Sequence, residues 1–195
     1  MKSKRTHYLA HALFIGAAFF ATSCGGDKPE DPADVAEDMN EEQFDDRKSE
    51  KDAEFVVEAA SINMEEIELG ELALEKGASQ HVKDLGQMMV DEHTKALNDL
   101  KALAEKKGIV IPSSLTEDGQ DKYNDLNEKT GKDFDKEYAD MMVKGHEKAI
   151  DKFEKASSDA DDMDIRDWAA SMLPSLHTHL EHSKTTKEKC EANKK

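Results

Sequence analysis

From Ser49 to Leu180 apolar side chains recur every three or four positions, and no useful stretch alternates with the period of two that a strand needs. That spacing confines the chain to amphipathic helices. In the first segment Phe55, Val56, Ala59, Ile62, Ile67, Ala73 and Leu74 follow the helical stripe until Gly77 stops it. Ser79 stands where a cap is needed, and Val82, Leu85, Met89, His93, Ala96, Leu100 and Leu103 form the second stripe, closed by Gly108. The stretch from Ile109 to Leu115, broken by Pro112, reads as a connector; Thr116 then caps a short helix through about Lys129, and Gly131 breaks the chain again. The third long helix starts near Asp133 and buries Phe134, Tyr138, Met142, His146, Ala149 and Phe153. After a turn from Ser157 to Asp162, the last carries Ile165, Trp168, Ala169, Met172, Leu176, His179 and Leu180. Pro174 lies inside that pattern, so a kink is expected there, with the Ala170 carbonyl losing its usual donor. The expectation is all-α: a four-helix bundle with a short extra helix in the crossover.

Two stretches repeat. Met88–Leu97 and Met141–Ile150 match at six of ten positions with an offset of 141 − 88 = 53, and each places a methionine four residues ahead of a histidine. Such spacing stacks both side chains on one helical face. A duplicated helical hairpin is expected, the first two long helices pairing with the last two.

The chain opens with Lys2, Lys4 and Arg5, then an apolar run from Ala12 to Ala21 that is too short to span a bilayer. Ala21-Thr22-Ser23-Cys24, followed by Gly25-Gly26, resembles a bacterial lipobox, although Ala21 replaces the usual leucine. The expectation is a signal peptide over residues 1–24, with lipidation at Cys24 and a partner that is the membrane itself, contacted through the lipid anchor. Its removal takes away three bases, leaving 27 − 3 = 24 against 44 acids, or −20. Nucleic acid is excluded as a ligand by that balance. Between Gly25 and Asp46 stand ten acids, one lysine and two prolines, a composition that predicts an acidic disordered tether over residues 25–48, ahead of a bundle domain spanning 49–190.

Polar residues on buried stripes carry the functional signal, because an unpartnered polar group inside a core is costly. Glu66, His93, His146 and His179 fall on the seams of four different helices, with Asn63 one turn before Glu66. Inward carboxylates and imidazoles are how bundles build metal sites. Met89 and Met142 add thioether sulfur, which suits Cu(I) or, with histidine, a haem iron. With the first turn near residue 78, Glu66 lies 78 − 66 = 12 back and His93 lies 93 − 78 = 15 forward, about one helical turn apart in level. With the second turn near 160, His146 lies 160 − 146 = 14 back and His179 lies 179 − 160 = 19 forward, and His177 or Met172 fits that level better. The candidate metal ligands are therefore Glu66, His93, His146, His177 or His179, with Met89 and Met142 as auxiliaries. Packing residues and a hydrogen-bond network account for the same pattern without a metal. No phosphate loop, Cys-x-x-Cys or haem-attachment motif occurs, no local feature supports an enzyme, and Cys190 stands alone near the C-terminus.

From Asp52 to Ser183 the chain resembles a bacterial family of unknown function, domain family 4142, described as a predicted outer membrane protein and grouped with ferritin-like folds. The residues that carry the resemblance are Phe55-Val56 with Ala59-Ala60, Asn63-Met64-Glu65-Glu66-Ile67, Leu69-Gly70, Met89-Val90-Asp91 with His93, Gly108-Ile109 with Pro112, Phe134-Asp135 with Tyr138, Met142-Val143 with His146, and Leu173-Pro174 with His179-Leu180. The resemblance implies a ferritin-like four-helix bundle in the cell envelope, in the periplasm or at the outer membrane, and brings no established activity. Ferritin-type di-iron sites use Glu-x-x-His pairs, whereas Val90, Val143 and Leu176 stand three residues before the histidines, which argues against di-iron. Gly145 stands where the family pattern carries an acid. Two readings follow: binding of a transition metal or haem in the core, or a non-catalytic envelope interaction or stress-tolerance module without a cofactor.

Overall fold

A computed structural model describes residues 30–44 and 46–192, so the signal and lipidation readings for residues 1–24, Cys24 included, lie outside the described residues. The structure is all-α, with six helices among those residues: α1 Pro32–Gln43, α2 Arg47–Lys76, α3 Gln80–Lys107, α4 Glu117–Asn127, α5 Gly131–Asp159 and α6 Met163–Ala192. No helix among them is long and apolar enough to cross a membrane.

Local chemistry sets most boundaries. Asp46 caps α2 by accepting from the Lys48 and Ser49 amides at 3.0 Å each. Gly108 ends α3 in the left-handed region, at φ 73°, which only glycine enters without strain. Thr116 caps α4 through the Gly119 amide. Gly131, expected as a break, instead opens α5 at φ 59°. Pro174 does not end α6, which runs through it without interruption. The lost proline donor falls under Ala170, which is exposed, so water can serve its carbonyl.

Part of the expected tether is helix. Asp31 accepts from the Ala33 amide at the start of α1, and Pro32 supplies a preset first-turn dihedral. Ala36 is buried, and Asn40 exchanges two 2.8 Å hydrogen bonds with the backbone of Val110. Composition could not reveal this, because docking onto α2 and the crossover, rather than apolar content, offsets the ordering cost.

The four long helices form two antiparallel hairpins, α2–α3 and α5–α6, with α2 packed beside α5 and α3 beside α6. The crossover leaves at the α5–α6 turn, where Lys107 pairs with Asp162 and Asp164, and returns at the opposite end, where Lys76 bonds to Asn127. Each hairpin turn is held by a carboxylate from the other hairpin. Asp52 accepts from the Asp161 and Asp162 amides at 3.1 and 2.6 Å, while Asp135 accepts from Ala78 and Ser79 at 2.8 and 2.9 Å. Ser79 thus sits at the α3 cap position without using its own side chain as the cap.

These clamps give the true internal correspondence. Their offset is 135 − 52 = 83, and the same shift carries Phe55 to Tyr138, Val82 to Ile165, Met89 to Met172 and Leu97 to Leu180. The local match at 53 instead joins the second helix of one hairpin, α3, to the first of the other, α5. It is not the hairpin copy that it resembles in sequence.

Two apolar clusters fill the bundle. One, containing Val56, Leu100, Phe153 and Ile165, lies toward the α5–α6 turn; the other, containing Leu69, Leu85, Met89, Phe134 and Met142, lies toward the α2–α3 turn. Buried Asn63, Glu66, His93, His146 and His179 occupy the levels between them. The α2–α3 contact is tightest at two glycines: a Cβ on Gly86 would stand 2.8 Å from the Gly70 carbonyl oxygen and 2.9 Å from the Ala73 Cβ. Substituting Gly86→Val therefore forces the hairpin apart, and a loss of about 1–3 kcal/mol in denaturant unfolding is expected, as for other overpacked cores.

Candidate metal centre

Three imidazoles meet in that middle layer, from α3, α5 and α6. One ring nitrogen from each of His93, His146 and His179 lies within 4.8 Å of the other two, and all three residues are buried. The ring centroids are 5.0–5.6 Å apart. The level mismatch expected between His146 and His179 shrinks because the turn spans residues 160–162: from its centre at 161, His146 lies 161 − 146 = 15 back and His179 lies 179 − 161 = 18 forward.

Each ring has an acceptor on its outer side. His93 Nδ1 lies 2.9 Å from the Asn63 Oδ1, His146 Nδ1 lies 2.8 Å from the Met142 carbonyl, and His179 Nε2 lies 2.9 Å from the Glu92 Oε2. Neutral imidazole carries one N–H, and donating it outward leaves the other nitrogen with a bare lone pair. The inward atoms are then His93 Nε2, His146 Nε2 and His179 Nδ1. His93 Nε2 is buried with no hydrogen-bond partner. His146 Nε2 and His179 Nδ1 face each other at 3.3 Å. Metal–nitrogen bonds of about 2.0–2.1 Å at a tetrahedral angle place donor atoms about 3.3 Å apart.

Electrostatics favours the neutral rings that a metal requires. Burial holds His93 well below the ordinary imidazole range, with His146 and His179 adding to the effect. Burial, then His179, brings His146 down to about 4 despite the Met142 carbonyl. His179 is lowered by burial, against the opposing pull of Glu92.

Of the residues expected from sequence, His93, His146 and His179 come together and the others do not. His177 is exposed, because it lies two residues from His179 and so falls on the other side of α6. Glu66 is buried, but its Oε1 lies 3.8 Å from His146 Nδ1, the nitrogen already turned toward Met142, so it stands behind that ring rather than among the lone pairs. Burial, then Glu65, raises the Glu66 carboxyl well above the ordinary range, with Lys122 opposing. Glu66 Oε2 and the Tyr138 hydroxyl are both buried without partners. A Cβ at Gly145 would stand 3.0 Å from Glu66 Oε1, so this glycine leaves room for a carboxyl supplied by α2. Met89 and Met142 pack one helical turn away in the apolar cluster, and Met142 serves the site through its backbone oxygen. The three clustered ligand atoms are all imidazole nitrogens, with no carboxylate oxygen among them. A cavity of about 260 Å³ touches the site, below the roughly 300–1,000 Å³ of drug-sized ligand pockets.

Asn63 and Glu92 were missed as site residues. Asn63 had a signal: 78 − 63 = 15 matches 93 − 78 = 15, so it is the residue level with His93 across the turn. Glu92 had none, since it is exposed and off the apolar seam. Cys190 is half-buried at 3.4 Å from His81, and burial pushes its thiol up to about 11.

Acid should loosen the metal-free protein through these rings. Unfolded histidine takes up protons below about pH 6.5, whereas His146 resists to about 4 in the folded state. Its contribution to stability is present above the unfolded value and is lost as the pH falls, by on the order of 3 kcal/mol once both values are passed. His93 and His179 act in the same direction, and Glu66, with its raised value, acts oppositely. Urea unfolding in chelator should show a fall in stability from about pH 7 to about pH 5, steeper in Glu66→Gln; a flat profile contradicts three neutral buried imidazoles.

No curated protein and no solved structure matches the chain. The family model described as a domain of unknown function, DUF4142, matches residues 38–186, from within α1 to near the end of α6. The chain belongs to the DUF4142 family.

Proposed function

We propose that the protein binds one divalent transition metal ion of the borderline class, such as Zn(II), through His93, His146 and His179. The observation that carries this reading is the inward lone pair: His93 Nε2 is buried and unpartnered while all three outer nitrogens have acceptors. A proton shared across the 3.3 Å between His146 and His179 satisfies one pair and still strands His93, whereas a cation satisfies all three. Imidazole is a preferred ligand of zinc, copper, iron and nickel, and the Asn63, Met142 and Glu92 acceptors fix each ring as second-layer partners do in metal sites.

We read the fold as ferritin-like, supported by two hairpins joined through a crossover that runs the length of the bundle. We also read the chain as exported and lipid-anchored at Cys24, supported by the basic start, the short apolar run and the small residues before that cysteine. The protein then presents a strongly acidic bundle in the cell envelope, at a membrane surface.

Protein stripped by chelator and reloaded with zinc should retain one equivalent per chain by elemental analysis. At a thousandfold excess of free zinc over Kd the gain in unfolding free energy is about 4 kcal/mol. His93→Ala/His146→Ala should abolish both effects; equal metal content in this variant and the parent overturns the reading and leaves a hydrogen-bonded, cofactor-free module. For the anchor, Cys24→Ser should move the protein from the membrane to the soluble fraction of cells, and unchanged fractionation refutes lipidation.

A further inference from the structure

The cavity beside the histidines is placed asymmetrically. Its lining includes His93 and His179, with their partners Asn63 and Glu92, but not His146 or Glu66. His146 closes the site from behind, backed by Glu66. Three protein nitrogens leave a tetrahedral ion one position short, and that open position distinguishes catalytic zinc sites from closed structural ones. The remaining wall is largely apolar, made by Ile62, Phe153, Met172 and Leu176. An engineered apolar cavity of roughly 150 Å³ holds benzene, so about 260 Å³ admits a molecule of several heavy atoms.

We infer that the fourth coordination position faces this cavity and takes a small, uncharged, mainly apolar molecule that offers one nitrogen, sulfur or oxygen donor to the metal. The inference rests on the metal reading above and names the ligand class of the same site. Charge selects against anions: the chain carries a net −17, Glu92 stands in the cavity wall with its carboxylate on His179, and Lys95, the cation of that wall, is paired with Asp99 at 2.9 Å. Apolar walls add the cost of desolvating any ion that enters. Asn63 and Glu92 are already engaged by the histidines, so the wall offers an incoming molecule few free polar groups besides Ser175.

The test uses the full chain loaded with Co(II), whose visible spectrum reports its coordination, and pyridine as the uncharged one-donor probe. Pyridine should change the spectrum saturably at one equivalent of bound cobalt. Ala96→Phe and Ser175→Leu fill the cavity from α3 and α6 without touching a histidine; each should still bind cobalt and should weaken pyridine at least tenfold. Azide, an anion of smaller size, should bind more weakly than pyridine. Cobalt bound with a spectrum indifferent to pyridine, or equal pyridine affinity in parent and both filled variants, overturns the inference and leaves the metal site standing. Azide binding more tightly than pyridine overturns the ligand class, and absence of cobalt binding overturns the metal reading and this inference together.

Discussion

An imidazole buried in an apolar bundle needs a home for its single N–H, and burying three side by side multiplies that demand. Here the three donors turn outward, to an amide oxygen of α2, a backbone carbonyl of α5 and a carboxylate of α3. Those acceptors dictate the tautomers, and the tautomers aim three lone pairs at one another. The register of α2, α3 and α6 is constrained by this layer, since a slip of one turn on any of them separates a ring from its acceptor by about 5.4 Å, whereas His146 and its acceptor share α5. The apolar clusters on either side exclude water and keep the rings neutral. A cation is the group that turns their mutual repulsion into attraction.

The two carboxylate clamps show that the bundle is built from equivalent hairpins, yet the site is single. Shifted by 83, Asn63 corresponds to His146, Ala96 to His179 and His93 to Leu176. The three histidines therefore come from positions that are not equivalent, and the near-symmetric layer gathers them on one side. On the Ala96 side the missing ring is part of what leaves space for the cavity. Behind His146, Glu66 and Tyr138 place two unpartnered polar atoms in the core, where the Glu66 carboxyl is held toward its neutral form. A neutral acid there avoids burying a charge beside the His146 ring.

The helices were legible because 3.6-residue periodicity is a local property of the chain. So was the presence of His93, His146 and His179 on inward faces, since each interrupts an otherwise apolar stripe. Level arithmetic across the first turn matches Asn63, not Glu66, to His93, but a charged residue on the seam is the stronger signal in sequence. The repeat at 53 was real in sequence but compared helices in different places of their hairpins; Asp52 and Asp135, scattered acids in a very acidic chain, became recognisable as counterparts only once each was seen gripping the opposite turn.

By itself, then, the sequence determined that this is an all-helical protein with imidazoles directed into its core. Tertiary structure decided which polar groups meet: it set Glu66 behind His146, left His177 in solvent, brought exposed Glu92 onto His179 and docked α1 on the crossover through Asn40. The reason is physical. Periodicity assigns a residue to a face, whereas a hydrogen bond or a coordination sphere depends on distances of a few tenths of an ångström between helices, and several of the partners are backbone groups that no side-chain pattern reveals.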